Sequence, residues 1–116
     1  MDIFDKGWMG LASEKMRWAE ARQAQISRNM ANADTPDFVG RDVVSFEDHL
    51  RNRMHDPATA VRSEEASSSW GGSFDGNQVV LEEQQFLANS TESEHRLASE
   101  LYKKAHGLLG IAISSN

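Results

Sequence analysis

The stretch Asn29-Met30-Ala31-Asn32-Ala33-Asp34-Thr35-Pro36-Asp37-Phe38 decides where the first helix of this chain ends. Asn and Asp side chains hydrogen-bond to nearby backbone groups and so compete with the helix. Pro36 has no amide hydrogen and disfavours helical geometry at the residue before it. The sequence therefore predicts that a helix arriving from the N-terminal side stops near Ala33 and that the chain changes direction there.

Upstream of this stretch, residues 3–30 have the pattern of one amphipathic helix. Apolar or small residues recur at spacings of three and four, with a single polar member. This seam consists of Met9, Ala12, Met16, Ala19, Gln23, Ile26 and Met30. Because Ala and Met form a thin seam, we expect the helix to need a partner helix.

The same helix carries a second stripe on another face. It consists of Trp8, Leu11, Lys15, Trp18 and Arg22. A helix with apolar residues on two faces is usually buried on two sides. Two interpretations follow: the tryptophans widen the core stripe, or Trp8, Leu11 and Trp18 contact another subunit, since tryptophan is enriched at interfaces.

Downstream, the turn signal Asp75-Gly76-Asn77 introduces a second long helix, predicted over residues 78–112. Its last turns are strongly apolar and are interrupted by Gly107 and Gly110. The sequence predicts that the two helices assemble through one heptad seam. The predicted seam residues are Met9, Met16, Ile26 and Met30 in the first helix, and Leu87, Leu97, Leu101, Leu108 and Ile111 in the second.

The middle of the chain, residues 37–74, has less regular patterning. Residues 39–44 favour a short extended piece. Ser45 followed by Asp48 resembles a capping box and predicts a short helix that ends before Asp56-Pro57. Residues 58–74 are rich in Ser and Gly and predict a flexible loop, with Trp70 as an anchor or a partner contact.

These elements predict an all-α protein in which two long terminal helices form an antiparallel coiled coil and an irregular acidic segment loops between them. Residues 1–36 and 75–116 would form the helical domain, and residues 37–74 the connecting segment. Two helices alone would leave the tryptophan stripe and the C-terminal apolar residues exposed. An exposed patch of that size marks an association surface, so we expect assembly.

The composition excludes several classes of protein. The chain of 116 residues has a net charge of −6, and residues 31–76 hold nine acidic and four basic residues. This acidic middle argues against binding to nucleic acid or to an anionic membrane. The absence of cysteine excludes disulfides. The N-terminus lacks the pattern of a cleaved secretory signal.

Catalytic and metal-binding patterns are missing from the sequence. The histidines are His49, His55, His95 and His106, and no pair has the spacing of a helical metal site. We interpret them as solvated surface residues, and the acidic pairs Glu64-Glu65 and Glu82-Glu83 as solvated or capping residues. Without a phosphate-binding loop, a nucleophile motif or a Rossmann glycine pattern, the sequence predicts neither an enzyme nor a cofactor site.

The motif around Pro36 resembles the signature of bacterial flagellar rod, hook and related axial proteins, which reads Asn-Ile-Ala-Asn-Ala-Asp-Thr-Pro-Gly-Tyr. The matching residues are Asn29, Ala31, Asn32, Ala33, Asp34, Thr35 and Pro36, whereas Met30, Asp37 and Phe38 replace Ile, Gly and Tyr. A second hallmark of the family, Asp-Gly-Asn before an acidic helix, matches Asp75, Gly76 and Asn77. The short length is similar to that of rod proteins without an inserted β domain.

This resemblance implies a structural subunit of the flagellar basal-body proximal rod, located in the periplasm and exported through the flagellar type III gate without a cleaved signal peptide. The terminal helices would pack into a helical tube that transmits torque for swimming and encloses the export channel. The implied partners are copies of the chain itself, other proximal-rod proteins, the rod–MS ring junction protein, the MS ring and the export gate. Nucleic acid and small-molecule substrates are not implied.

A different class of protein also fits the helical pattern. A small coiled-coil adaptor or export chaperone would present its helices to a partner helix. Such an adaptor has no need of the motifs at residues 31–36 and 75–77, so these motifs favour the rod subunit.

Overall fold

The first helix ends at the predicted stretch. The computed structural model describes residues 5–66, 68–70 and 79–114. A π-helical turn, Asp5–Met9, leads directly into helix α1, Gly10–Ala31. The Nδ2 atom of Asn32, the C-terminal cap, donates a hydrogen bond to the carbonyl of Arg28 at 2.9 Å. The predicted end near Ala33 is therefore confirmed to within two residues.

The middle segment contains the predicted short helix. Helix α2, Phe46–His55, follows Ser45, whose hydroxyl accepts a hydrogen bond from the backbone N–H of Asp48 at 3.1 Å. This bond satisfies one of the unpaired amides of the first helical turn. The helix stops at Asp56, immediately before Pro57, as the sequence predicts.

Two short strands flank α2 and pair with each other. Strand β1, Arg41–Val43, lies in the predicted extended piece, and strand β2, Ser63–Glu65, runs antiparallel to it. In this register Asp42 lies opposite Glu64. The prediction of an all-α fold with a flexible loop over residues 58–74 is therefore corrected: part of that loop is a strand. The sequence signal was weak because each strand has only three residues.

The second long helix, α3, spans Leu81–Ser114. At 1.5 Å per residue its 34 residues extend about 50 Å. It runs antiparallel to α1, because residues later in α1 contact residues earlier in α3. The side-chain contacts pair Asn29 with Gln84, Gln23 with the carbonyl of Ala88, and Lys15 with Glu94.

The hydrophobic core is small and lies where the middle segment crosses α1. Trp18 and Ala19 of α1 pack with Val43 of β1. Phe46 and Val61 border this cluster, and the rings of Trp18 and Phe46 meet edge to face at 6.0 Å. The middle segment is thus anchored on the first helix, and most of the outer surface of α3 remains uncovered.

Candidate assembly surface

A buried polar joint connects the first helix to the rest of the chain. Asn29 is 2% exposed, and its side-chain Nδ2 donates to the carbonyl of Arg41 at 2.7 Å and to Oε1 of Gln84 at 3.0 Å. Its Oδ1 accepts from the backbone N–H of Arg41 at 3.1 Å and from Nε2 of Gln25 at 3.0 Å. All four hydrogen-bonding positions of the amide are used. One motif residue therefore joins α1, β1 and α3.

The turn after the joint has a left-handed residue at its end. Thr35 donates its backbone N–H to the carbonyl of Asn32 at 3.0 Å, and Phe38 donates to the carbonyl of Thr35 at 3.2 Å. Asp37 has a φ of 61°. Asp is among the few residues with a side chain that enter this region readily. Asp37 thus adopts a conformation that suits the Gly of the signature.

The chain then passes through a tight point at Gly40. A Cβ atom at this position would lie 3.3 Å from the carbonyl oxygen of Ala66 and 3.3 Å from Cγ2 of Val79. A side chain at this position would require these neighbours to move by a few tenths of an ångström, so glycine suits the close approach of the residue before β1 to Ala66 and Val79. Gly40 therefore helps to set the distance between the middle segment and the second helix.

The two tryptophans of the first helix occupy different environments. Trp18 is 5% exposed, and its indole Nε1 donates to the carbonyl of Val44 at 2.7 Å. Its ring also lies beneath the ammonium of Lys15 at 4.3 Å. The prediction that Trp18 contacts another subunit is therefore corrected, because the chain's own middle segment covers it. Trp8 and Leu11 are 59% and 46% exposed and remain predicted subunit contacts.

The side of α3 that faces α1 is polar and small, unlike the predicted seam. Its buried residues recur every seven positions at Gln84, Thr91 and Ala98. Leu97, Leu101, Leu108 and Ile111, by contrast, are all exposed. The prediction that these four residues form the contact between the two helices is therefore wrong. That they contact other subunits remains a prediction.

The remaining predicted seam residues differ in how deeply they are buried. Met9 and Ile26 are buried in the first helix, Met16 is half-buried and Met30 is exposed. Leu87 of α3 is half-buried. The paired helices therefore bury one thin seam and leave several apolar residues exposed. We define two groups of them as the N-terminal patch, Trp8 and Leu11, and the outer face of α3, Leu97, Leu101, Leu108 and Ile111.

Two titratable residues are buried contrary to the sequence interpretation. His49 is 2% exposed, and its Nε2 lies 3.2 Å from Oε2 of Glu14, which also pairs with Arg53 at 3.2 Å. Glu83 is buried and accepts hydrogen bonds from the N–H and hydroxyl of Ser69 at 3.0 and 2.6 Å. Both residues hold middle-segment residues against the long helices, a role that depends on distant partners.

Among the described residues, no group of three His, Asp or Glu side chains is placed to hold a metal ion, and no helix is long and apolar enough to cross a membrane. The predicted turn at Asp75, Gly76 and Asn77 lies outside the described residues. Of the motif residues predicted from the sequence, Asn29 lies in the joint, whereas Asn32 caps α1 through an exposed hydrogen bond. Gln25 and Gln84, which complete the joint, were missed; the i, i+4 spacing of Gln25 and Asn29 was the available signal.

Comparison with known proteins adds a relative in the flagellum. No protein-family model matches the chain. Among curated proteins, the flagellar basal body rod protein FlgB of Agrobacterium fabrum is 28% identical over 116 aligned residues. The match covers 85% of this chain and 87% of that protein. This match confirms the resemblance drawn from the sequence motif: the chain is similar to the flagellar basal body rod protein FlgB.

Proposed function

We propose that this protein is a structural subunit of the proximal rod of the bacterial flagellar basal body. The observation that carries the proposal is the similarity to FlgB along most of both chains. The exposed apolar residues on both long helices support it, because a monomeric protein rarely leaves so many large apolar side chains in water.

In this proposal α1 and α3 act together as an antiparallel coiled coil. Residues 1–36 and 75–116 form the helical domain, and residues 37–74 connect its two parts. The joint at Asn29 holds the middle segment to one side of the pair. The N-terminal patch and the exposed leucines of α3, Leu97, Leu101 and Leu108, then contact neighbouring subunits.

The assembled subunits would form the wall of a helical tube. Side-by-side apolar contacts between many helices resist twisting, so such a tube transmits torque for swimming and encloses the export channel. The proposed partners are further copies of this chain, other proximal-rod proteins, the rod–MS ring junction protein and the MS ring. The flagellar type III export gate would deliver the chain to the periplasm.

A complementation experiment tests this function. A strain lacking the gene should build no complete rods and should not swim, and the intact gene should restore both. Leu101→Glu, on the outer face of α3, should fail to restore swimming although the purified variant keeps its helical circular dichroism. Glu100→Gln, an exposed neighbour on the same helix, is the matched control and should restore swimming.

Two results would contradict the proposal. One is complete rods, seen by electron microscopy of isolated basal bodies, in the deletion strain. The other is full swimming with Leu101→Glu, which would remove the outer face of α3 from the assembly. A measurement of secreted protein separates failed export from failed assembly.

A further inference from the structure

An open aromatic depression lies near the start of α3. Trp70 and Phe86 form its upper wall, with ring centroids 5.7 Å apart, although both side chains are more than half exposed. Ile26 and Leu87 line the same depression, whose volume is about 300 Å³. The rest of the lining is mainly polar, and it includes Glu83 and Gln84. Exposed aromatic residues with a polar rim are typical of the anchor points of protein interfaces.

The opposite end of the same helix has an apolar surface and a charge that complement this depression. Leu108 and Ile113 are exposed, and residues 101–113 contain two lysines and one histidine but neither Asp nor Glu. Lys103 and Lys104 are both exposed. The end of α3 is therefore an apolar helix surface with a positive charge beside it.

The surroundings of the depression carry the opposite charge. Strand β2, paired with β1 at the depression, presents Glu64 and Glu65 to solvent, and Glu82 is exposed one turn before Phe86. Of the two basic groups that line the depression, Arg22 pairs with Asp42 at 2.9 Å, whereas Arg41 donates to the neutral carbonyl of Ser63 at 2.9 Å and keeps its positive charge. The three exposed glutamates outweigh this one charge, so the net charge of the described residues around the depression is negative.

Within one molecule the two surfaces cannot meet. Helix α3 is continuous from Leu81 to Ser114, and Phe86 and Leu108 are 22 residues apart along it. At 1.5 Å per residue this corresponds to about 33 Å along one rigid helix. An end of α3 that enters a depression of this kind must therefore come from a second copy.

From this complementarity we infer that the C-terminal end of α3 docks in the Trp70–Phe86 depression of a second copy of this chain. Leu108 and its neighbours contact the aromatic wall, and Lys103 and Lys104 lie toward the acidic rim. The contact joins two different surfaces, so a pair of copies keeps one free end of α3 and one free depression. Such head-to-tail contacts form a ring if the rotation between copies closes, and extend into a helical array if it does not. The inference rests on the proposed rod function for its setting, because it specifies one of the contacts of that array.

Cysteine crosslinking of the purified full chain tests the contact, since the natural chain has no cysteine. Asn89→Cys lies one turn after Phe86 and spares the aromatic pair, whereas Gly107→Cys lies beside Leu108 where an added Cβ meets nothing within 4 Å. A mixture of the two variants treated with a short bismaleimide should give a crosslinked dimer. Neither variant alone should do so. Glu100→Cys mixed with Asn89→Cys is the control for random collision.

Two further variants test the chemistry of the contact. Trp70→Ala, placed in the Asn89→Cys chain, should lower the crosslinked yield about tenfold, as expected for loss of one anchor residue. Lys103→Glu combined with Lys104→Glu in the Gly107→Cys chain should also lower it, and added salt should reduce the unaltered yield. Both sets of variants should keep the circular dichroism of the natural chain.

Several outcomes would overturn the inference. They are a yield no higher than that of the Glu100→Cys control, self-crosslinking of Gly107→Cys alone, and an internal crosslink in a chain carrying both cysteines. The proposed rod function is tested separately by the deletion strain. If the deletion strain lacks rods and no crosslink forms, the rod function stands and this contact is wrong. If the deletion strain builds normal rods and the crosslink forms, the contact stands and the rod function is wrong.

Discussion

The side-chain amide of Asn29 pairs with both backbone groups of Arg41. Its Nδ2 donates to the carbonyl at 2.7 Å, and its Oδ1 accepts from the N–H at 3.1 Å. The side chain thus occupies the place that a neighbouring strand would take beside β1. Because the same amide also bonds Gln84, the exit of the chain from the first helix and the position of the second helix are fixed by one residue.

Asn29→Ala should destabilise the chain by about 3 kcal/mol, because it removes four hydrogen bonds and leaves buried groups of Arg41 and Gln84 unpaired. Urea unfolding followed by circular dichroism measures this change. Asn32→Ala, which removes an exposed bond to the carbonyl of Arg28, is the control and should cost about 1 kcal/mol or less. Equal losses for the two variants would contradict the role assigned to Asn29.

Gly40→Ala and Gly107→Ala should change stability in opposite directions. At Gly40 the new methyl group would crowd the carbonyl of Ala66 and the side chain of Val79, so we expect a loss of about 1–2 kcal/mol. At Gly107, inside α3, nothing lies within 4 Å, so alanine should add about 1 kcal/mol through helix propensity. Thermal unfolding distinguishes the two, and a stabilising Gly40→Ala would refute the tight approach.

Asp37→Ala should cost about 1 kcal/mol, because its φ of 61° is unfavourable for a residue with a Cβ and alanine lacks a side chain that hydrogen-bonds locally. Asp37→Gly should be neutral or stabilising, and Asp37→Asn should behave like the natural chain. Differential scanning calorimetry of the three variants gives the order directly. A more stable alanine variant would mean that this turn does not hold the left-handed conformation in solution.

Trp18→Ala should lower the free energy of unfolding by about 4 kcal/mol, since it removes a buried indole and its bond to the carbonyl of Val44. Trp8→Ala should change it by about 0.5 kcal/mol or less, because that side chain is exposed. In the deletion strain, however, Trp8→Ala should impair rod assembly. Chemical unfolding together with swimming assays measures both effects, and a fold unaffected by Trp18→Ala would place that indole outside the core.

The elements of this fold that follow from neighbouring residues could be predicted from the sequence. The end of α1 at Asn32, the cap at Ser45 and the end of α2 before Pro57 each depend on hydrogen bonds or steric limits within a few residues. The second stripe with Trp8 and Leu11 also followed from the pattern of one helix, although the pattern left open whether it is core or a subunit contact. These signals are local, so reading them required no knowledge of where the rest of the chain lies.

The tertiary structure decided which faces are used. The heptad pattern of α3 predicts that its leucines pack against α1. In the structure Thr91 and Ala98 are buried on the side that packs against α1, whereas Leu97 and Leu101 are exposed. Small side chains let two helices approach closely, and the bulky ones are left for other partners. Likewise, the burial of Trp18 and His49 and the pairing of β1 with β2 depend on residues twenty or more positions away. Periodicity within one segment shows that a face exists, whereas the choice of partner for that face is a balance of packing over the whole chain.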